Sequence, residues 1–491
     1  MTDPGNMTAA LRALPPDGVV AVVRRDCPTC ALVEPVLAAL AATGAVVGVV
    51  SQDDVTFPAG VDVVDDTSLD LSWALGIETV PTLVRLRGGV EVERLEGWER
   101  DRWSLLVGVD DLGPGLPEWR PGCGSLSVDP LRAEELAVRH GRAALRSRRI
   151  EIGPDEDELE AMWDRGWSDG LPVVPPTEAR VLRMLAGTTR SPDELVAVVP
   201  PDLVECSVEK VAVNAVMAGC RPEYLPVVLA AVEAACTDTF NIHGLLATTY
   251  FSGPLIIVNG PVAAAIGMNS GANALGQGNR ANSTIGRALQ LVVRNVGGGR
   301  PGPGGVDRAT LGNPGKVGWC FAEDEGGSPW TSLAQSRGMG AGQSAVTLFA
   351  GAGVTPVVDQ RSRGPESLAR TMAAVLLGVA HPKVTIAFDA LLVVCPEHAR
   401  VFRDAGWDRE RLLAELGELL LVDGSTLVAG AGGMDEGLPA SVAGRRIPKF
   451  RDGGLLLAHA GGSAGMFSAV IGAWASGPTG SEPVTWPVRW P

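Results

Sequence analysis

Cys27 and Cys30 stand two residues apart in Asp26-Cys27-Pro28-Thr29-Cys30. At this spacing one thiolate can attack a disulfide and the second thiol can resolve the mixed disulfide that forms. Only the ionised sulfur attacks, so the chemistry depends on what surrounds it. Residues 19–24, VVAVVR, are a short apolar run that reads as a buried strand. After the pair, ALVEPVLAALAA carries apolar residues at helical spacing. Strand, cysteine pair and helix put Cys27 at a helix N-terminus, where backbone N–H groups and the helix dipole lower a thiol pKa. Cys27 is expected to be the exposed attacking thiol and Cys30, one turn inside, the resolving one. Pro28 suits the first helical turn, where its missing N–H costs nothing. Asp26 opposes ionisation of Cys27 if its charge is close and poorly solvated. An inert scaffold and a structural zinc half-site are the competing readings. Zinc needs four ligands, and no second CxxC or His pair accompanies this one, so no metal is assigned.

The pair must be held by a small fold. A strand is expected at 45–50 (AVVGVV), a helix around 67–75, a hairpin turning at Gly88 and Gly89, and a last helix from about 98 to 108. This order, with Val80-Pro81-Thr82 just before a strand, resembles the thioredoxin-like family over residues 1–112. The resemblance implies a central sheet flanked by helices, redox-active Cys27 and Cys30, and a cis proline at Pro81 packed beside them. Asp26 replaces the family's usual aromatic residue, and Pro28-Thr29 its usual Gly-Pro.

From residue 113 the chain reads GPGLPEWRPGCGSLSVDP, followed by a helical stretch to Arg149. The Pro/Gly density marks 113–155 as a linker. Cys123 within it reads either as a thiol that shuttles electrons out of the first domain or as an exposed linker cysteine without a role.

Residues 156–491 read as one large α/β domain, because helix-like and strand-like segments alternate. The polar, glycine-rich stretch 269–284, NSGANALGQGNRANST, lies between an apolar strand and a helix capped by Asn282 or Ser283. With Arg280 and Asn282 it is a candidate anion or substrate loop; tight structural turns are the alternative. His243 and Glu323, with Asp324 and Glu325 beside it, are candidate acid–base groups; a core histidine and a helix cap are their structural counterparts. Cys206, Cys220, Cys236, Cys320 and Cys395 sit mostly in apolar stretches, as buried cysteines do. Cys320, beside acidic and aromatic residues, is the candidate redox partner of the first domain. The strings GWSDGLPVVPPT, NAVMAGCRPEYLPV, GNRANSTIGRALQL and AEDEGGSPW resemble a bacterial family of large domains associated with UGSC-type selenoproteins. Cys123-Gly124-Ser125 is similar to that motif with sulfur for selenium, but Leu126 replaces its last cysteine, so no role carries over.

The bulk composition narrows the partners. The 491 residues carry a net charge of -16, which repels phosphate backbones and argues against nucleic acid. No secretory signal pattern opens the sequence and no apolar run is long enough to span a membrane, so a cytoplasmic location is expected. The expected partner is a thiol or disulfide substrate, which includes the fused large domain; a homo-oligomer stays open and no cofactor is assigned. Two functions follow: a thiol–disulfide oxidoreductase coupled to a substrate-binding domain, or a non-redox lyase or hydrolase carrying an inert thioredoxin-like scaffold.

Overall fold

Apolar, β-branched runs separated by glycine and proline turns build two α/β units, Met1–Ala144 and Leu145–Pro491. The computed structural model describes residues 14–140, 145–153, 155–477 and 479–490. Among these, no helix is long and apolar enough to cross a membrane.

In the first unit, β1 (Gly18–Val23) is buried along almost its whole length and leads into α1 (Pro28–Ala42). β2 (Gly48–Ser51) and β3 (Val63–Asp65) follow, then α2 (Asp70–Ala74), β4 (Thr79–Val80), β5 (Thr82–Arg87) and β6 (Val90–Glu96). The sheet order is β3-β2-β1-β5-β6, with β1, β2 and β3 parallel and β5 antiparallel to both neighbours. Gly88 and Gly89 both take positive φ (57° and 76°), as a two-residue hairpin turn requires.

The expected linker is not a linker over its first two thirds. After β7 (Trp98–Glu99) and α3 (Arg100–Val107), the chain returns as β8 (Trp119–Arg120), paired with β7, and β9 (Cys123–Gly124), paired with β4. Buried Ser125 and Ser127 tie the next residues down: Gln52 Nε2 donates to Ser125 Oγ at 2.7 Å, and Ser127 Oγ donates to the Ile77 carbonyl at 2.7 Å. α4 (Pro130–His140) is joined to α2 through Asp70, which accepts from Arg139 and lies 2.6 Å from His140 Nε2. The division falls after residue 144, because the short ladders of β8 with β7 and of β9 with β4 hold residues 119–124 to the first unit.

The second unit is built on a seven-stranded sheet. The helices that flank this sheet include α5 (Val208–Ala218), α6 (Leu225–Ala235), α7 (Arg280–Asn295), α8 (Pro365–Leu376), α9 (Pro396–Asp404) and α10 (Arg409–Leu419). Its strands are β10 (Gly253–Asn259), β11 (Cys320–Ala322), β12 (Ala345–Val358), β13 (Phe388–Val394), β14 (Leu455–His459), β15 (Phe467–Ala475) and β16 (Val484–Pro487). The order is β11-β10-β12-β15-β13-β14, with β16 on β12. Each half holds one parallel pair, β10 with β11 and β13 with β14, and antiparallel β12 and β15 join the halves. Alternate residues of both halves share one core, including Leu255, Ile257, Phe321, Leu391, Leu456 and Ile471. The opposite faces pack against α5, α6 and α7 in one half and α8, α9 and α10 in the other. The Asp324 N–H donates to the His459 carbonyl at 2.8 Å, which brings the chain just beyond β11 to the end of β14.

Asp169 and Arg287 pin the segment ahead of α5 onto α7 through two hydrogen bonds of 2.8 and 2.7 Å, both side chains being largely buried. Breaking such a pair leaves the guanidinium with no counter-charge and only the Leu171 and Pro172 carbonyls as acceptors, so Asp169→Ala is expected to destabilise the second unit by about 3 kcal/mol, read from urea denaturation.

Candidate functional site

Cys27 is the N-cap of α1: its extended backbone (φ -92°, ψ 118°) lets its sulfur accept the Cys30 N–H at 3.3 Å. β1 ends in the core, so the turn that follows drops both cysteines beneath the surface, and neither is measurably exposed. The Cys27 sulfur also lies 3.4 Å from the Val80 carbonyl, to which its protonated form donates. The Val80–Pro81 peptide is cis.

A third thiol completes the group. Pairing of β4 with β9 sets Cys123 opposite Val80, whose carbonyl lies 3.4 Å from the Cys27 sulfur, and the Cys123 thiol helps to lower the Cys27 pKa. The neighbouring glycine makes this approach feasible, because a Cβ on Gly122 would fall 2.3 Å from Thr79 Cγ2 and 2.8 Å from the Val80 carbonyl oxygen. Thr29 Oγ1 donates to the Pro121 carbonyl at 2.7 Å and fastens the same segment to the start of α1. The expectation of an exposed Cys27 therefore fails: residues 121–124 lie beside the dithiol.

The electrostatics separate the three sulfurs. The hydrogen bond from the Cys30 thiol pulls Cys27 down most strongly; burial opposes it, and the Cys123 thiol and the N–H groups of Cys30 and Thr29 add to the pull, leaving Cys27 at about 5. Burial, and the bond it donates to Cys27, push Cys30 far above the ordinary thiol range. Cys123 is raised by burial and by its own bond to Cys27. One anion with two thiol donors is the arrangement that favours ionised sulfur. Asp26 is exposed, so water screens its charge from Cys27. All eight cysteines are free thiols.

The candidates in the second unit do not converge. Arg280, the first residue of α7, donates from Nε to the Gly219 carbonyl at 2.9 Å. Asn282 is buried; its amide holds the 269–279 loop through Asn269 N, Asn269 O and Ala274 O. The helix cap is Asn279, not Asn282 or Ser283, because its side chain accepts the Asn282 N–H. Glu323 is buried and bonded on both oxygens, and His243 is exposed on the short helix Ile242–Ala247. Cys320 lies buried in β11, where burial raises its thiol. Among the described residues no group of three or more His, Cys, Asp or Glu is disposed to hold a metal ion.

Cys123 is the site residue that spacing alone cannot place, since 92 positions separate it from Cys30 and long-range contacts, the β4–β9 pairing and the Thr29–Pro121 hydrogen bond, bring its segment to the dithiol. Its one signal is the pair of glycines around it. In comparisons with known proteins, no family model, no curated protein and no solved structure matches the chain.

Proposed function

We propose that the first unit is a thiol–disulfide oxidoreductase of thioredoxin-like fold, with Cys27 as nucleophile and Cys30 and Cys123 as its proton-donating neighbours. The observation that carries this reading is the placement of the Cys27 sulfur at the start of α1, where it accepts the Cys30 N–H at 3.3 Å and lies 3.4 Å from the carbonyl of Val80, the residue paired with Cys123. The sheet order, with Cys27 at the start of the helix that follows β1 and the cis Val80–Pro81 peptide beside it, supports the fold assignment. Cys27 thiolate attacks a substrate disulfide; one substrate sulfur leaves with a proton and the other stays bonded to Cys27. The Cys30 thiol then loses its proton, displaces that sulfur and closes the Cys27–Cys30 bridge, so two electrons pass to the substrate. An external dithiol restores the pair.

The test is insulin reduction by the full chain with dithiothreitol as electron donor. Cys30→Ser is expected to abolish turnover and to accumulate a mixed disulfide at Cys27, seen as a mass adduct on that peptide. Wild-type turnover no faster than dithiothreitol alone, with no adduct in Cys30→Ser, would overturn the reading.

A further inference from the structure

The second unit holds a nucleophile arrangement of its own, unrelated to Cys27. Cys395 ends β13 and caps α9, and His398 follows one turn later; Cys395 is 4% exposed and His398 fully buried. His398 Nε2 lies 2.9 Å from the Asp359 carbonyl oxygen, which only accepts, so this nitrogen carries the hydrogen and Nδ1 is the unprotonated, accepting nitrogen. Nδ1 lies 2.7 Å from Ser468 Oγ, and Ser468 Oγ accepts the Cys395 N–H at 3.1 Å. Ser468 Oγ thus bridges the Cys395 backbone and the His398 ring, and both His398 and Ser468 pull the Cys395 thiol pKa down. A cysteine, a base within reach and a carbonyl that fixes the tautomer of the base form the nucleophile–base–orienter set of covalent catalysis.

The environment agrees. Burial would raise the Cys395 thiol, but the His398 imidazole and backbone N–H outweigh it and hold the thiol below the ordinary range. Burial also opposes charge on His398, yet Cys395 and the Asp359 carbonyl hold it above its usual value. By contrast, burial pushes Cys206, Cys220 and Cys236 up to about 12. The nearby carboxylates are engaged elsewhere: Asp359 accepts from Ser362 and Thr371, and Glu397 accepts the Met466 N–H. Beside Cys395 runs the turn that follows β14, which presents Gly461 to it. Gly461 has φ +116°, and a Cβ built there would lie 3.9 Å from Cys395 Cβ. Its N–H donates to the Ser270 carbonyl at 2.9 Å, which sets the 269–279 loop against the turn. In α9 the first intrahelical bond runs from Ala399 N–H to the Cys395 carbonyl, so the Glu397 N–H lies ahead of the intrahelical set.

We propose that Cys395 is a second nucleophile, taking an acyl group from a small ester or amide with His398 as its base. The sulfur attacks the carbonyl carbon and the S–C bond forms. The thiol proton passes to His398 Nδ1 and from there to the leaving oxygen or nitrogen as its bond to the carbonyl breaks. Water then hydrolyses the thioester, releasing the acid and restoring the thiol, with no net oxidation or reduction.

p-Nitrophenyl acetate on the full chain, followed by peptide mass spectrometry, tests this. The expected result is nitrophenolate release with an acetyl group on Cys395, formed at least tenfold faster than on Cys236 and slowed at least tenfold by His398→Gln. Absence of acetyl from Cys395 in the folded wild type, a rate equal to that of Cys236, or a wild-type rate in folded His398→Gln would each overturn the proposal. The wild-type comparison decides even if the variant does not fold.

Discussion

At pH 6, iodoacetamide that reaches the sulfur past residues 121–124 is expected to label Cys27 roughly tenfold faster than an ordinary peptide thiol, and Cys27→Ser to bring disulfide reduction down to the uncatalysed rate. The estimate joins two opposing effects. With its pKa at about 5, Cys27 is mostly ionised at pH 6, whereas a free cysteine near 8.5 is about 0.3% ionised, a roughly 300-fold difference. Nucleophilicity falls with thiol pKa at a slope of about 0.4–0.5, which takes back about 40-fold. Near pH 7 the two effects nearly cancel, so the acidic measurement is the informative one. Peptide mapping across pH should give a midpoint near 5 for Cys27. Cys123→Ala removes one donor from the thiolate and should raise that midpoint. The substitution also uncovers the sulfur, which alters the rate but not the midpoint, so the midpoint reports the hydrogen bond. A midpoint unchanged in Cys123→Ala would remove Cys123 from the site. Linkage gives the accompanying stability effect. Because the folded thiol is more acidic than the unfolded one, the reduced fold gains stability as pH rises from 5 to the ordinary thiol value, and loses it as pH falls through 5. Stabilising the thiolate also stabilises the reduced pair, so the site should act as a stronger oxidant than one with an ordinary thiol.

What could be read from the chain beforehand follows the range of the forces involved. The Cys27–Cys30 turn is local: an apolar strand, an N-cap and Pro28 at the first helical position are all written within 25 residues. The Gly88-Gly89 hairpin is equally local. Cys123 was not legible as a site residue, because its place comes from a two-residue ladder between β4 and β9 that a proline-rich composition conceals. The same composition suggested a linker where turns fold back onto the sheet. In the second unit, polarity drew attention to Arg280, Asn282 and Glu323, but polar residues in apolar surroundings often serve the backbone, and both Arg280 and Asn282 bond carbonyl groups. The Cys395–His398 pair is not legible in the sequence, because its apolar strand looks inert. Its chemistry comes from Ser468 and Asp359, which are distant in sequence.

Glu323 is expected to give the largest stability effect of any single side chain in the second unit. Its side chain is fully buried. Oε2 accepts from Asn259 Nδ2 and the Leu333 N–H, each at 2.7 Å, and Oε1 accepts from the His459 N–H at 3.2 Å, with Arg409 3.9 Å away. These donors come from the end of β10, the turn before the helix Leu333–Ser336 and the end of β14, so one carboxylate joins elements from both halves of the sheet. Glu323→Ala would leave buried N–H groups and the Arg409 cation without their acceptor, a loss of about 3–5 kcal/mol. Glu323→Gln keeps the shape but presents an amide N–H₂ to donors, so a smaller loss of about 1–3 kcal/mol is expected. The pH dependence distinguishes the role of charge from that of shape. Burial raises the Glu323 pKa against the pull of Asn259, Leu333, Arg409 and His459. In the window just above the ordinary glutamate value, the folded protein therefore holds a proton that the unfolded chain has released, and this residue's contribution to stability falls as pH rises. Other carboxylates slope the opposite way, so the measurement is the difference between wild type and Glu323→Gln in urea denaturation at a series of pH values. The wild-type advantage over Gln should shrink as pH rises through that window and level off once the folded carboxyl has ionised. A difference independent of pH would show that Glu323 acts through shape and hydrogen bonding alone.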